Sequence, residues 1–165
     1  MEAKDAKLEL LILEGEVLNL DQIDVVTKMI NKGLSQEVVT RLEELWDYTV
    51  MIGEKLVHLG KIIINKILGF VDANVHLALG VAIGAAVGSL INIIPVFGQL
   101  LAPLSVALGA VIGGVAGARL DRGQEPGDGV IGITQEVLLL AGKFYEFFAS
   151  IINTLAEELV PAESR

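Results

Sequence analysis

The chain has 165 residues and no cysteine, carries a formal net charge of −9, and is 53% hydrophobic with a mean hydropathy of +0.63. The acidic balance argues against a nucleic-acid-binding protein, because phosphate binding needs an excess of Lys and Arg. Without cysteine the chain has no disulfide, thiolate or cysteine metal chemistry. The length predicts a single domain over residues 1–165.

Residues 1–20 predict an amphipathic helix. Leu10, Leu13, Val17 and Leu20 mark one face, and Glu9, Glu14 and Glu16 lie mostly elsewhere. The stretch lacks the basic start and the small-residue cleavage site of a signal peptide. The first segment is therefore expected to belong to the fold.

A short second helix is predicted from Gln22 to Lys32. Asp21 is a suitable N-cap, and Gly33 lies where a left-handed C-cap is expected. The residues predicted to face the core are Ile23, Val26, Met29 and Ile30.

Ser35 is then expected to cap one long helix that reaches Phe70. Apolar residues recur every three or four positions over most of this run. Gly53 and Gly60 are expected to bend this helix without ending it. No alternation of period two extends beyond a few residues anywhere in the chain, so no strand is predicted.

Residues 73–118 form an uncharged segment that contains no Asp, Glu, Lys or Arg. Two apolar arms, about residues 75–94 and 99–118, are each close to the roughly 20 residues that a helix needs to cross hydrocarbon. The pattern predicts a helical hairpin. Its predicted tip contains Pro95, Phe97, Gly98 and Pro103. Since proline fits the first turn of a helix, the second helix is expected to begin near Pro103.

Each arm of the hairpin carries three glycines at four-residue spacing. Such stripes let helix backbones approach closely, which is how helices associate in lipid. The same pattern also suits a tightly packed helix pair in a soluble bundle. The glycines are Gly80, Gly84 and Gly88 in the first arm and Gly109, Gly113 and Gly117 in the second.

After the hairpin, residues 119–132 predict a loop rich in glycine and charge, and residues 133–160 predict a last amphipathic helix. Thr134 is the expected cap of this helix, and Pro161 is the expected end. Its aromatic cluster, Phe144 to Phe148, suits either a core or a membrane interface. The predicted fold class is all-α, with amphipathic helices around a central hydrophobic hairpin.

No catalytic, cofactor or metal site is predicted. The only histidines are His58 and His76. Each lies four residues after an acidic residue, Glu54 and Asp72 respectively. On a helix either pair would supply two ligands, which is too few for a metal site. An enzyme is therefore not expected.

An apolar hairpin inside a jacket of amphipathic helices resembles the pore-forming domain of colicins. The two glycine stripes are similar to those of small bacterial pore-forming effectors with glycine-zipper hairpins. The resemblance covers residues 73–118, and 47 residues follow the hairpin, whereas the colicin hairpin lies near the C-terminus. It implies a soluble form that hides the hairpin and inserts on meeting a membrane.

The function expected from the sequence is that of a toxin-like or effector-like protein that inserts into a lipid membrane, forms a homo-oligomer through the glycine stripes and permeabilises the bilayer. A soluble pool is expected before insertion. The pattern identifies no immunity or carrier protein. The alternatives are a resident two-span protein, a membrane-shaping or virion-type subunit, and a soluble oligomer that buries the hairpin between subunits.

Overall fold

The computed structural model describes residues 1–109 and 133–162, which are mostly helical and include one small three-stranded sheet. The all-α prediction is thus correct for most of these residues but omits the sheet. The elements in chain order are α1 (Ala3–Val17), α2 (Gln22–Lys32), α3 (Gln36–Trp46), β1 (Val50–Ile52), β2 (Lys55–Val57), α4 (Leu59–Ala73), α5 (Leu79–Ile93), α6 (Phe97–Leu100), α7 (residues 102–109), α8 (Gln135–Phe144), α9 (Glu146–Leu155) and β3 (Leu159–Pro161).

The chain divides into two compact units. Unit 1 comprises Met1–Lys66 and Phe147–Arg165, and unit 2 comprises Ile67–Glu146. Unit 1 therefore contains the first three helices and the sheet. Unit 2 contains the described part of the uncharged segment, residues 73–109, and α8.

Capping side chains begin three helices at the predicted positions. The Asp21 carboxylate accepts the Ile23 N–H at 3.0 Å, and the Ser35 and Thr134 hydroxyls accept N–H groups three residues later at 3.4 Å. Gly33 ends α2 with a φ of 96°, a backbone conformation that side chains disfavour. These predictions are confirmed.

The prediction of one helix from Ser35 to Phe70 is wrong. Helix α3 ends at Trp46, a β-hairpin follows, and α4 begins at Leu59. Gly53 does not bend a helix but occupies the two-residue loop between β1 and β2 with a φ of 61°. A glycine with positive φ at the first loop position suits the tight turn of a hairpin.

Strand β1 lies in the middle of the sheet and pairs antiparallel with both neighbours. Val50 is opposite Val57 on β2 and opposite Pro161 on β3. The prediction of one last helix over residues 133–160 is also wrong in part. It is interrupted at Tyr145, α9 ends at Leu155, and Pro161 lies in a strand at the edge of the sheet, where a proline is tolerated.

The predicted core faces are right for α1 and partly wrong for α2. Leu10, Leu13 and Val17 are buried, whereas Leu20 lies beyond the end of α1 and is half-buried. On α2 Met29 is buried as predicted, but Val25 is buried in place of Val26, which is half-buried. Ile23 and Ile30 are 74% and 56% exposed. The apolar residues of α2 cover a wider arc than the helix buries, so periodicity alone does not select the buried line.

Candidate functional site

Helix α5, the first arm of the uncharged segment, is buried on several sides. Its sequence from Leu79 to Ile93 contains no charged residue. Successive residues are about 100° apart around a helix, so two runs of three buried residues, 81–83 and 85–87, each cover more than half of its circumference. Within unit 2, α5 packs against α8.

The first glycine stripe lies along α5 with a gradient of exposure. Gly80 is exposed, and a Cβ added there would meet no atom within 4 Å. Gly84 is half-buried. Gly88 is half-buried too, and an added Cβ would lie 3.7 Å from Leu138 of α8. The inner end of this stripe thus faces α8.

The second stripe is described only at Gly109, which is exposed and has open space around it. Gly113 and Gly117 lie outside the described residues, and so does the whole predicted loop over residues 119–132.

The predicted tip residues differ in how far they are buried. Phe97 is 1% exposed and begins α6, whereas Pro95 and Pro103 are exposed and Gly98 is half-buried. Pro103 lies in the first turn of α7, so the prediction that a helix begins there is confirmed.

An open cleft of about 500 Å³ lies between α5 and α8. Its lining combines apolar side chains with amides and two opposite charges, Lys143 and Glu146. Ser89 is the buried polar residue of this lining, and an added Cβ at Gly142 would lie 3.6 Å from its hydroxyl oxygen. The small residues at this crossing allow α5 and α8 to approach closely.

An aromatic cluster surrounds Tyr145 in unit 2. Its ring centroid lies 6.0 Å from that of Phe70 and 5.1 Å from that of Phe144. Tyr145 is fully buried, and desolvation raises the pKa of its phenol well above the ordinary value. The folded state therefore favours the neutral, protonated form of the Tyr145 phenol.

A buried carboxylate in unit 1 was not expected from the sequence. Glu14 of α1 is 7% exposed, and its Oε1 accepts the backbone N–H of His58 at 2.7 Å. Its Oε2 lies 2.6 Å from Nδ1 of the His58 ring. Both carboxylate oxygens are thus satisfied by one residue 44 positions away.

The predicted Glu54 and His58 pair on a helix is wrong, because Glu54 lies in the β-hairpin loop and His58 lies between β2 and α4. Periodicity assigned Glu14 to a polar face, and nothing local to it indicates a partner so distant in sequence. Within residues 1–109 and 133–162, no group of three or more His, Asp or Glu side chains is arranged to hold a metal ion.

Among the described residues, no single helix has both the length and the hydrophobicity to cross a bilayer. The consecutive helices α8 and α9 reach that length and hydrophobicity only when taken together, and the chain bends at the break between them. Comparisons with protein-family models, with curated proteins and with solved structures find no match.

Proposed function

We propose that this chain is a membrane-inserting helical protein that permeabilises a bilayer, and that its folded form shelters part of the uncharged segment before insertion. The observation that carries the proposal is the burial of α5, a helix without a charged residue, along two stretches of its length. A helix of this composition can enter hydrocarbon without desolvating a charge.

The glycine positions support a second state of the segment. A glycine inside a helix costs about 1 kcal/mol relative to alanine. Gly80 and Gly109 have open space around them, so packing in the folded form gives no reason for glycine at either position. Close contact between helices in lipid, between arms or between copies of the chain, is a reason for both.

Insertion requires the first arm to lengthen. Helix α5 has 15 residues, or about 22 Å at 1.5 Å per residue, whereas a span needs about 20 residues. The 18 residues from Leu77 to Ile94 contain no titratable side chain. His76, just before them, is the one titratable residue between Ala73 and Ala118. Our proposal is that the inserted helix extends across the turn that now precedes α5.

The test is release of a trapped dye from phosphatidylcholine vesicles by the purified full-length chain. Gly80→Leu should retain the folded form, since the position is open, but should lower the leakage rate because the stripe no longer admits a second helix backbone. Gly15→Leu in α1 is the matched control, since Gly15 is also helical and surrounded by open space.

Leakage by wild-type protein that is reduced by Gly80→Leu but not by Gly15→Leu supports the proposal. Absence of leakage by folded wild-type protein rejects it. Leakage that is equal in all three proteins leaves permeabilisation standing and removes the role of the glycine stripe.

A resident membrane protein is a second candidate, favoured by the length and hydrophobicity of the α8 and α9 pair. Carbonate extraction of membranes from expressing cells separates the two. A resident protein resists extraction at all times after synthesis, whereas the proposed inserter has a soluble pool that decreases when membranes are added.

A further inference from the structure

The segment from residue 94 to residue 106, here called the tip segment, contains fully buried residues, called its inner face, and exposed residues, called its outer face. The inner face contains Ile94, Phe97, Leu101 and Leu104, each at most 1% exposed. On the outer face Val96 is 47% exposed and Val106 is 70% exposed. The inner residues hold the segment in unit 2, and the two valines remain available to a partner.

These valines differ from the other exposed large hydrophobic residues. Each of the others in residues 1–109 and 133–162 has an Asp, Glu, Lys or Arg within three positions of it in the sequence. The nearest such residue to Val96 is Arg119, and it is also the nearest to Val106. The tip segment is therefore the described part of the surface where apolar side chains occur in an uncharged sequence.

The backbone of the tip segment is also suited to a medium without water, because many of its N–H groups have partners. The N–H groups of Ile94, Phe97, Gly98, Leu101 and Ser105 donate to carbonyls three or four residues earlier at 2.8–3.1 Å. Pro95 and Pro103 have no N–H to satisfy. An unsatisfied backbone group in hydrocarbon costs several kcal/mol, so a loop that enters lipid must pair these groups internally.

We infer that the outer face of the tip segment is the surface through which the folded chain first docks on a lipid bilayer. This inference rests on the proposed function and adds the site of contact. The partner is the apolar region of a bilayer of zwitterionic lipid. Residues 94–106 contain no ionisable side chain, and their polar side chains are the Gln99 amide and the Ser105 hydroxyl. The segment therefore brings no charge of its own into hydrocarbon, whereas each of the other exposed apolar residues has a charged neighbour in the sequence.

The absence of cysteine from the sequence gives a direct test. A single cysteine replaces Val96 or Val106 and is labelled with an environment-sensitive nitrobenzoxadiazole dye. Matched variants carry the label at Leu8 or Ile23, which are exposed apolar residues of α1 and α2 with charged neighbours. Each protein is mixed with phosphatidylcholine vesicles. Emission should shift to shorter wavelength for labels at positions 96 and 106 and stay unchanged at positions 8 and 23.

A second measurement uses charge. The double variant Val96→Asp with Val106→Asp should bind vesicles at least about tenfold more weakly, because tenfold corresponds to only about 1.4 kcal/mol and a carboxylate in hydrocarbon costs more. Leu8→Asp with Ile12→Asp adds the same charge elsewhere and should bind as wild type. Circular dichroism confirms that both variants fold.

The outcomes separate the two proposals. Wild-type leakage with no spectral shift at positions 96 and 106, or with the tip and α1 variants equally affected, overturns the docking site and leaves membrane insertion intact. Failure of the wild-type protein to bind or permeabilise vesicles overturns both.

Discussion

The Glu14 carboxylate joins α1 to the residue that precedes α4, and its contribution to stability can be isolated. Glu14→Leu keeps a similar volume but leaves the part-buried His58 N–H without its acceptor, which should lower the free energy of unfolding by about 1–3 kcal/mol. Glu16→Leu, at an exposed position of the same helix, is the control and should have little effect. Urea unfolding followed by circular dichroism measures both.

The two bonds to His58 are separable, because His58→Ala removes the ring but keeps the backbone donor. A double-mutant cycle with Glu14→Leu and His58→Ala therefore reports the coupling through the ring alone. Equal unfolding free energies for the Glu14→Leu and Glu16→Leu variants would show that the buried carboxylate adds nothing.

Tyr145 predicts a loss of stability in alkali. Its folded-state pKa is raised by burial, while the unfolded phenol ionises near pH 10. Above that pH the unfolded state binds fewer protons than the folded state, so this residue lowers the free energy of unfolding by about 1.4 kcal/mol per pH unit as the pH rises. The contribution is complete below pH 10 and is lost above it.

Tyr145→Phe removes the ionisable group and should remove this part of the pH dependence. The measurement is the unfolding free energy of both proteins between pH 8 and pH 11, with the difference between them plotted against pH. A difference that is constant across the range would contradict the assignment of a buried neutral phenol.

At the scale of the elements, the crossing of α5 and α8 depends on small residues. An added Cβ at Gly142 would make an ordinary contact with Ser89, so Gly142→Ala should be neutral or stabilise by up to about 1 kcal/mol. Gly142→Leu must displace α5 and should destabilise by about 1–3 kcal/mol. Gly80→Leu, the same enlargement in open space, should be neutral or stabilise by up to about 1 kcal/mol.

Sequence reasoning found the elements that local chemistry defines. Asp21, Ser35 and Thr134 each satisfy an N–H within the first turn of a helix, and Gly33 ends α2 through its own backbone freedom. Such contacts involve residues two to five positions apart, so spacing alone predicts them. The start of α7 near Pro103 follows from the same kind of local constraint.

The sheet was missed because its strands have three residues each and their apolar side chains also fit a helical period. What makes them strands is the pairing of β1 with β3, more than 100 residues later in the chain. The hydrogen bonds between Glu14 and His58 were missed for the same reason. Neither the pairing of β1 with β3 nor the contact between Glu14 and His58 leaves a local signal in the sequence.

At the scale of the whole molecule, the proposed function and the net charge of −9 together predict which bilayers the chain permeabilises fastest. Anionic lipids repel an acidic protein at low ionic strength, and salt screens this repulsion. Dye release from vesicles that contain phosphatidylglycerol should therefore be slower than from phosphatidylcholine vesicles in low salt, and the gap should narrow as salt is added. Faster release from the anionic vesicles in low salt would contradict the prediction.

The pairing of β1 with β3 also sets the order in which the chain can fold during translation. Unit 1 needs residues from both Met1–Lys66 and Phe147–Arg165, and everything between them leaves the ribosome before the second set does. The uncharged segment therefore emerges while its N-terminal neighbours still lack their third strand. Nascent chains therefore pass through a stage at which the whole uncharged segment has been synthesised and the sheet is still incomplete.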